Sequence, residues 1–238
     1  MAFVSLDYLK QFLRVNGMSA DDDNNQLYLD MAFGSVIEYL GRDIAQTTYP
    51  AAADAGRGDA GYYRGNGRRR LVLRQTPVTE VSAVYWDSAG RWGQNPDGSF
   101  ATAMLLVAGT DYAIPWDGCL PNTSTQCCYT GLLERIGGVW PVSLAFVPGM
   151  LTGQVVPGQG NIKIAYTAGY PATSVPTPIR GAICQVAAWI RRNAKVGGNI
   201  SSESLGAYSY SLFGPLAQQW PEIGSIRGML SSFKDQAA

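Results

Sequence analysis

Five of the 18 basic residues crowd into one short segment: Arg64, Arg68, Arg69, Arg70 and Arg74. A guanidinium is a planar fork of N–H donors that stays charged, so clustered arginines suit phosphate oxygens or an acidic protein surface. The plainer reading is a solvated loop and strand start. A second set of cations, Arg180, Arg191 and Lys195, is dispersed in sequence but gathered in helical space. At about 100° per residue the three fall within roughly 60° of one another. They lie away from the apolar stripe of Ile179, Ala182, Ile183, Val186 and Ile190. Such a face offers positive charge to a partner or, in the plainer reading, only to water. Asp87, Asp97, Asp111 and Asp117 lie near aromatic residues in sequence. Two carboxylates sharing a cleft can hydrolyse glycosides, so these four offer a carbohydrate-directed alternative.

Most other chemistry is excluded by composition. The chain has no histidine, which removes the commonest general base, the Ser-His-Asp arrangement and the usual metal ligand. Of its four cysteines, Cys127 and Cys128 are adjacent while Cys119 and Cys184 stand apart, and no C-x-x-C spacing exists for zinc or redox work. A calcium loop starting at Asp21 needs Gly at position 26 and Glu at 32, where the chain has Gln26 and Ala32. Gly56, Gly58 and Gly61 spell a dinucleotide fingerprint, and Arg57-Gly58-Asp59 an integrin tripeptide. Both lie in a predicted loop where the mechanism cannot operate. No cofactor and no metal are therefore expected, and the carboxylates above remain the one catalytic set the composition leaves open.

Eighteen acids cancel the 18 bases, so no global field draws the chain onto nucleic acid, and any such contact must be local. The opening MAFVSLDYLKQFLRV lacks a basic leader before an apolar core, and no apolar run approaches a bilayer span. A protein made in the cytoplasm, with reduced thiols and no membrane contact, is the expectation.

The elements that must hold these residues follow from periodicity. Ser5 is placed to cap a short helix carrying Leu6, Leu9, Phe12 and Leu13, and Asn16-Gly17 ends it. Ser19 and Asp21 to Asp23 open a second helix, whose Leu29, Ala32, Phe33, Val36, Ile37 and Leu40 share a face and whose C-cap is Gly41. Residues 47–67, rich in Ala, Gly and Asp, read as a flexible linker. Strands are expected at Leu71–Leu73, Val78–Trp86, Met104–Val107, Tyr112–Ile114 and Ile162–Tyr166, and more weakly at Cys127–Leu133 and Val142–Phe146. Pro176 and Pro178 set up a long helix from Ile179. Gly197-Gly198 breaks the chain, SSESLGAYSYSL has little period, and a last helix carries Ile223, Ile226, Met229, Leu230 and Phe233 on one face. That stripe is too short to be stable alone and must dock, on its own chain or on a neighbour. The predicted class is α+β: an N-terminal helical hairpin, a central antiparallel β-sandwich or barrel-like module with long loops, a long C-terminal helix and a terminal docking helix. Residues 1–46 and 172–238 would form the helical domain and 68–170 the β-rich module.

Three phrases in this order carry a family resemblance: the helices SLDYLKQFLRVNGMSADDDNNQLYLDMAFGSVIEYLGRDI, the strand QTPVTEVSAVYW, and IAYTAGYPATSVP leading into a helix that ends in Arg-Arg, with SESLGAYSYSL beyond. The chain resembles the head-tail connector (adaptor, or head-completion) proteins of tailed bacteriophages over residues 5–44, about 71–90 and 161–235. The resemblance implies a non-enzymatic homo-oligomeric ring, usually dodecameric, in the virion neck. It would dock beneath the portal and above the tail or stopper, and line the channel for DNA. Residues 91–160 depart from the pattern and read as an insertion of hairpins and loops facing outward. Under this reading Arg180, Arg191 and Lys195 face the DNA channel or the next subunit. Ile223, Ile226, Leu230 and Phe233 dock on a partner, and Tyr208, Tyr210 and Phe213 form a segment ordered by that contact. Arg64, Arg68, Arg69 and Arg70 are the phosphate or acidic-surface patch. The alternatives are another neck or tail-completion protein and, from a different class, the carbohydrate-binding β-module.

Overall fold

A computed structural model of the chain describes residues 4–15, 22–50, 60–87, 100–141, 144–145, 156–157, 160–195, 202–205, 208–211 and 224–234. Helices α1 (Leu6–Leu13) and α2 (Asp22–Leu40) open it. Strands β1 (Thr47–Tyr49), β2 (Tyr62–Tyr63), β3 (Arg70–Val72), β4 (Val78–Trp86), β5 (Leu105–Leu106), β6 (Tyr112–Ala113) and β7 (Gly118–Cys119) follow. Next come β8 (Gln126–Cys127), β9 (Leu132–Arg135), β10 (Leu144–Ala145), β11 (Val156–Pro157) and β12 (Ile162–Ala168). Helix α3 (Thr177–Lys195), the hairpin β13 (Ser202–Leu205) and β14 (Tyr208–Ser211), and helix α4 (Gly224–Lys234) complete the order. The chain is α+β and divides into two compact units, Met1–Arg42 with Ala172–Asp235, and Asp43–Pro171.

In the helical unit, Ser5 caps α1 by accepting the Tyr8 N–H at 3.1 Å, and the Lys10 Nζ–Asp22 Oδ1 ion pair at 2.7 Å ties α1 to the start of α2. Gly41 ends α2 at φ +67°, its N–H donating to the Ile37 carbonyl at 2.9 Å. Leu29, Ala32, Val36 and Leu40 are buried, as are Ile179, Ala182, Ile183, Val186 and Ile190 of α3. Each fully buried Ile or Leu contributes about 1.5–3 kcal/mol of transfer free energy. Phe12 departs from the predicted stripe of α1: it is 44% exposed, while Leu9 is buried.

In the β unit the main sheet runs β1-β12-β4-β5, with β2 also paired to β12, and every pairing is antiparallel. On β12, Ile162, Ile164, Tyr166 and Ala168 point into the core while Lys163, Ala165 and Thr167 are half-buried, the period of two that the sequence shows. A second sheet runs β3-β9-β6. Leu71 and Leu133 from that sheet join Val84, Ile164 and Tyr166 from the first in one core. Gly169, at φ +97°, lets the chain turn against Ala45, whose backbone would clash with any Cβ there.

Four expectations change. The described strands form open sheets, with β1 and β5 as edges of the larger one, and no closed barrel is present among them. Within the expected linker 47–67, β1 and β2 belong to the main sheet and Tyr49, Tyr62 and Tyr63 are buried; aromatic side chains offset its Ala/Gly bias. Residues 100–141, expected as part of an outward insertion, supply Tyr112, Cys128, Leu133 and Trp140 to the core. Residues 202–211, read as having little period, form the β13–β14 hairpin.

Candidate partner-binding surfaces

The arginine cluster is held on a fixed backbone. Arg135 N–H donates to the Arg69 carbonyl at 2.8 Å and Trp140 N–H to the Arg68 carbonyl at 2.7 Å, while Gly67 N–H donates back to the Trp140 carbonyl at 2.8 Å. Asn66 closes the turn: its Oδ1 accepts Arg68 N–H at 2.9 Å and its Nδ2 donates to the Arg70 carbonyl at 2.8 Å. Trp140, fully buried, donates its indole N–H to the Leu133 carbonyl at 3.1 Å. The backbone of Trp140, 72 residues beyond Arg68, therefore anchors the segment carrying Arg68 and Arg69, a link that no local pattern could reveal.

Arg64, Arg68, Arg69 and Arg70 are all exposed. Arg70 pairs with Glu134, Nε to Oε1 at 2.6 Å, with its side chain still 67% exposed, an arrangement worth about 0–1 kcal/mol. Arg68 and Arg69 have no carboxylate partner among the described residues. The three arginines, Asn66, Val72, Leu132 and Glu134 line a shallow groove of about 710 Å³. Its open, charged floor suits the surface of a macromolecule better than an enclosed small ligand. Arg74 stacks over the Tyr63 ring with 5.5 Å to the centroid.

Helix α3 does not present its three predicted cations as one open patch. The Arg180 guanidinium lies over the Tyr8 ring of α1, 5.8 Å from the centroid, and Arg180 is half-buried. It has a role inside the helical unit, a cation–π contact that the helical wheel of α3 alone cannot show. Arg191 is half-buried and Arg192, missed in the wheel, is exposed; Lys195 is the last residue of the helix. No acid occurs in α3.

The terminal stripe is used at home. Helix α4 packs on α2 and α3, with Ile226 at 1% and Leu230 at 0% exposure. Ser225 reaches Gln185 at 3.3 Å, and Lys234 lies 4.5 Å from the Tyr39 ring centroid. Ile226 and Leu230, expected as partner-docking residues, are thus core residues of their own unit, because α2 and α3 supply the apolar surface the stripe needs. Phe233 is half-buried. Tyr208 and Tyr210 lie on β14; Phe213 and Ile223 are outside the described residues.

Two of the candidate carboxylates, Asp111 and Asp117, are engaged in structural contacts. Asp111 faces Arg135 at 3.5 Å and accepts the Val107 N–H at 2.8 Å. Asp117 accepts Tyr129 N–H at 2.6 Å, Thr130 N–H at 3.1 Å and the Thr130 hydroxyl at 2.7 Å. Burial opposes its charge, but these bonds outweigh it and hold the Asp117 carboxyl below its ordinary value. Asp87 is buried, and Asp97 is outside the described residues. Among the described residues no three His, Cys, Asp or Glu side chains gather as a metal site, and no helix is long and apolar enough to cross a membrane.

No protein-family model matches the sequence, and no curated protein matches it. Among solved structures, the chain is similar to a chain in the neck of an empty gene transfer agent particle computed with C6 symmetry. Identity is 16%, coverage 91% of this chain and 88% of that one, and the TM-score 0.42. A chain in the neck of the native particle computed with C12 symmetry gives 16% identity, 95% and 90% coverage and a TM-score of 0.40. A chain in the virion of the native gene transfer agent particle gives 17% identity, 91% and 88% coverage and a TM-score of 0.39.

Proposed function

We propose that this chain is a structural neck protein of a tailed-phage virion, a head-tail adaptor that forms a homo-oligomeric ring between the portal and the tail or stopper. One observation carries the reading. The phrases that bear the family resemblance, scattered along the sequence, are neighbours in space. QTPVTEVSAVYW supplies β4 and IAYTAGYPATSVP supplies most of β12, and these two strands pair from Ile162↔Trp86 to Ala168↔Val78. The N-terminal pair α1–α2 and the helix α3 likewise pack together in one unit. A shared order of short phrases is weak evidence for a shared architecture unless the phrases build one, and here they do. In this role the protein acts by binding, which accords with Asp111 and Asp117 being engaged in structural contacts rather than paired in a cleft.

The ring is taken as dodecameric, as the resemblance implies, and the two main sheets of the β unit, which share one core, as a sandwich-like module. Arg180, Arg191 and Lys195 are the α3 cations assigned to the DNA channel or the next subunit, with the Arg180 guanidinium also lying over Tyr8. Contacts with DNA would be to phosphate and would weaken steeply with salt. The reading is tested by the mass of the purified protein, alone and mixed with the portal protein of its phage. A ring of many copies, free or on the portal, supports it; a monomer that ignores portal at every salt concentration removes it. The channel assignment is separate: Arg191→Gln with Lys195→Gln should alter DNA retention in assembled particles, and unaltered retention would sink it.

A further inference from the structure

Among the described residues, one face of α2 has no packing role. Leu27 is 54% and Met31 48% exposed, and Asp23, Asp30, Gly34 and Glu38 are exposed beside them. At about 100° per residue these six occupy a stripe roughly 100° wide, with Asp30 and Asp23 along one edge, Gly34 and Leu27 at its centre, and Glu38 between Leu27 and Met31 at the other edge. None of the three acids has a cation partner among the described residues. Gly34 adds an independent observation. A Cβ there would meet nothing within 4 Å, so the fold of this chain gives no reason for glycine in a helix interior, where alanine is the more stable choice. What glycine does provide is close approach by another backbone.

The Arg68–Val72 ridge is a match in shape and sign. Its net cations are Arg68 and Arg69, since Glu134 answers Arg70, and Val72, which lines the same groove, is 41% exposed. Strand β3 is an edge of its sheet, so its Val72 side is open to a neighbour. The two surfaces lie on different units of the chain. One copy therefore carries both halves of a heterologous contact, the type from which rings are built when its rotation closes. The overall charge is zero, so long-range repulsion between copies does not oppose it.

We infer that the Leu27/Met31/Gly34 face of α2 in one copy docks on the Arg68–Val72 ridge of the next copy. This rests on the ring reading above and specifies its subunit interface. An acidic α2 face repels DNA phosphate, and a second copy is the occupant whose complementary surface is on the same chain.

The test uses full-length chains under the condition, alone or with portal, in which wild type assembles, followed by sedimentation velocity. Asp30→Lys with Glu38→Lys, and separately Arg68→Glu with Arg69→Glu, should each raise the concentration needed for assembly on the order of tenfold or more. The quadruple variant, with both signs exchanged, should regain assembly. Gly34→Leu should raise Tm by about 2–4 °C, because the helix gains a better former, and yet lose assembly. Double variants that assemble like wild type, or a quadruple variant that stays apart while folded, overturn the interface. Wild-type chains that assemble in neither condition overturn instead the ring reading on which it rests.

Discussion

The hydroxyls of Tyr63 and Tyr166 meet at 3.0 Å inside the β unit, although 103 residues separate them in sequence. Tyr166 also donates to the Ala60 carbonyl at 3.2 Å, and Tyr63 accepts the Arg74 N–H at 2.9 Å. The pair thus fastens the central strand β12 to β2 and to the end of the arginine segment at Arg74. Replacing Tyr166 with Phe should cost about 1 kcal/mol through the lost bonds.

The same substitution has a pH signature. Burial, and then the neighbouring Tyr63, push the Tyr166 hydroxyl above its ordinary value of 10.0. A raised folded-state value means that the contribution is intact below about pH 10 and is lost as pH rises further, when the unfolded chain ionises first. Tyr112 and Tyr129 are raised by burial as well. Urea midpoints should therefore fall above about pH 10, and more gently in Tyr166→Phe. Parallel alkaline declines in the two proteins would show that Tyr166 is not a source of the effect.

Thiol chemistry should separate one cysteine from the other three. Cys119 is exposed, and Cys127, Cys128 and Cys184 are buried. Burial pushes the Cys184 thiol up to about 11, against the opposing charge of Arg180, and raises Cys127. Thiolate is the reactive form. At pH 8 the folded protein should expose one fast-reacting thiol, and all four should react in denaturant. A second fast thiol in the native state would contradict the burial.

Leu230→Ala should destabilise the helical unit by about 2–5 kcal/mol, measured as a lower unfolding midpoint by circular dichroism. A change below about 0.5 kcal/mol, the size of a surface substitution, would return Leu230 to the status of a free docking residue. Its case shows what the sequence could and could not convey. The stripe Ile226, Met229, Leu230 announces an apolar face, and helical spacing makes that plain. Which surface receives it depends on α2 and α3, whose own apolar faces are compatible with several arrangements.

Legibility followed element length. Strands β4 and β12 and helices α2 and α3 repeat their periods several times, and all four were readable. Strands β5 to β8 have two residues each; β5 and β6 fall inside the expected Met104–Val107 and Tyr112–Ile114, while β7 was not legible, because two residues are too few to show a period. Trp140, in the segment expected to face outward, sits at 0% exposure in the core. Among the site residues, the exposure of Arg64, Arg68, Arg69 and Arg70 was legible from their density in a polar segment. The withdrawal of Arg180 onto Tyr8 was not, since it involves a residue 172 positions earlier and on another helix. The outer face of α2 was hidden for a related reason: attention goes to the stripe that packs, and Leu27 and Met31 lie off it.

Arg135 offers the sharpest check on the region that the sequence left obscure. Its guanidinium lies 5.9 Å from the Trp86 ring centroid and 5.8 Å from that of Trp140. It donates through Nη1 to the Asp111 carbonyl at 2.8 Å and faces the Asp111 carboxylate at 3.5 Å. A flat, weakly hydrated cation can lie against two rings and keep an in-plane hydrogen bond; an ammonium cannot do both. Arg135→Lys preserves the charge and should still cost about 1–2 kcal/mol, seen as a lower urea midpoint by tryptophan fluorescence. Because the backbone N–H of Arg135 also holds the Arg69 carbonyl, a loosened β9 should reach the arginine ridge. The variant should therefore weaken assembly as well as stability. A lysine variant equal to wild type in both measurements would mean that charge alone matters at this position, and that the two indole rings contribute nothing to holding the ridge.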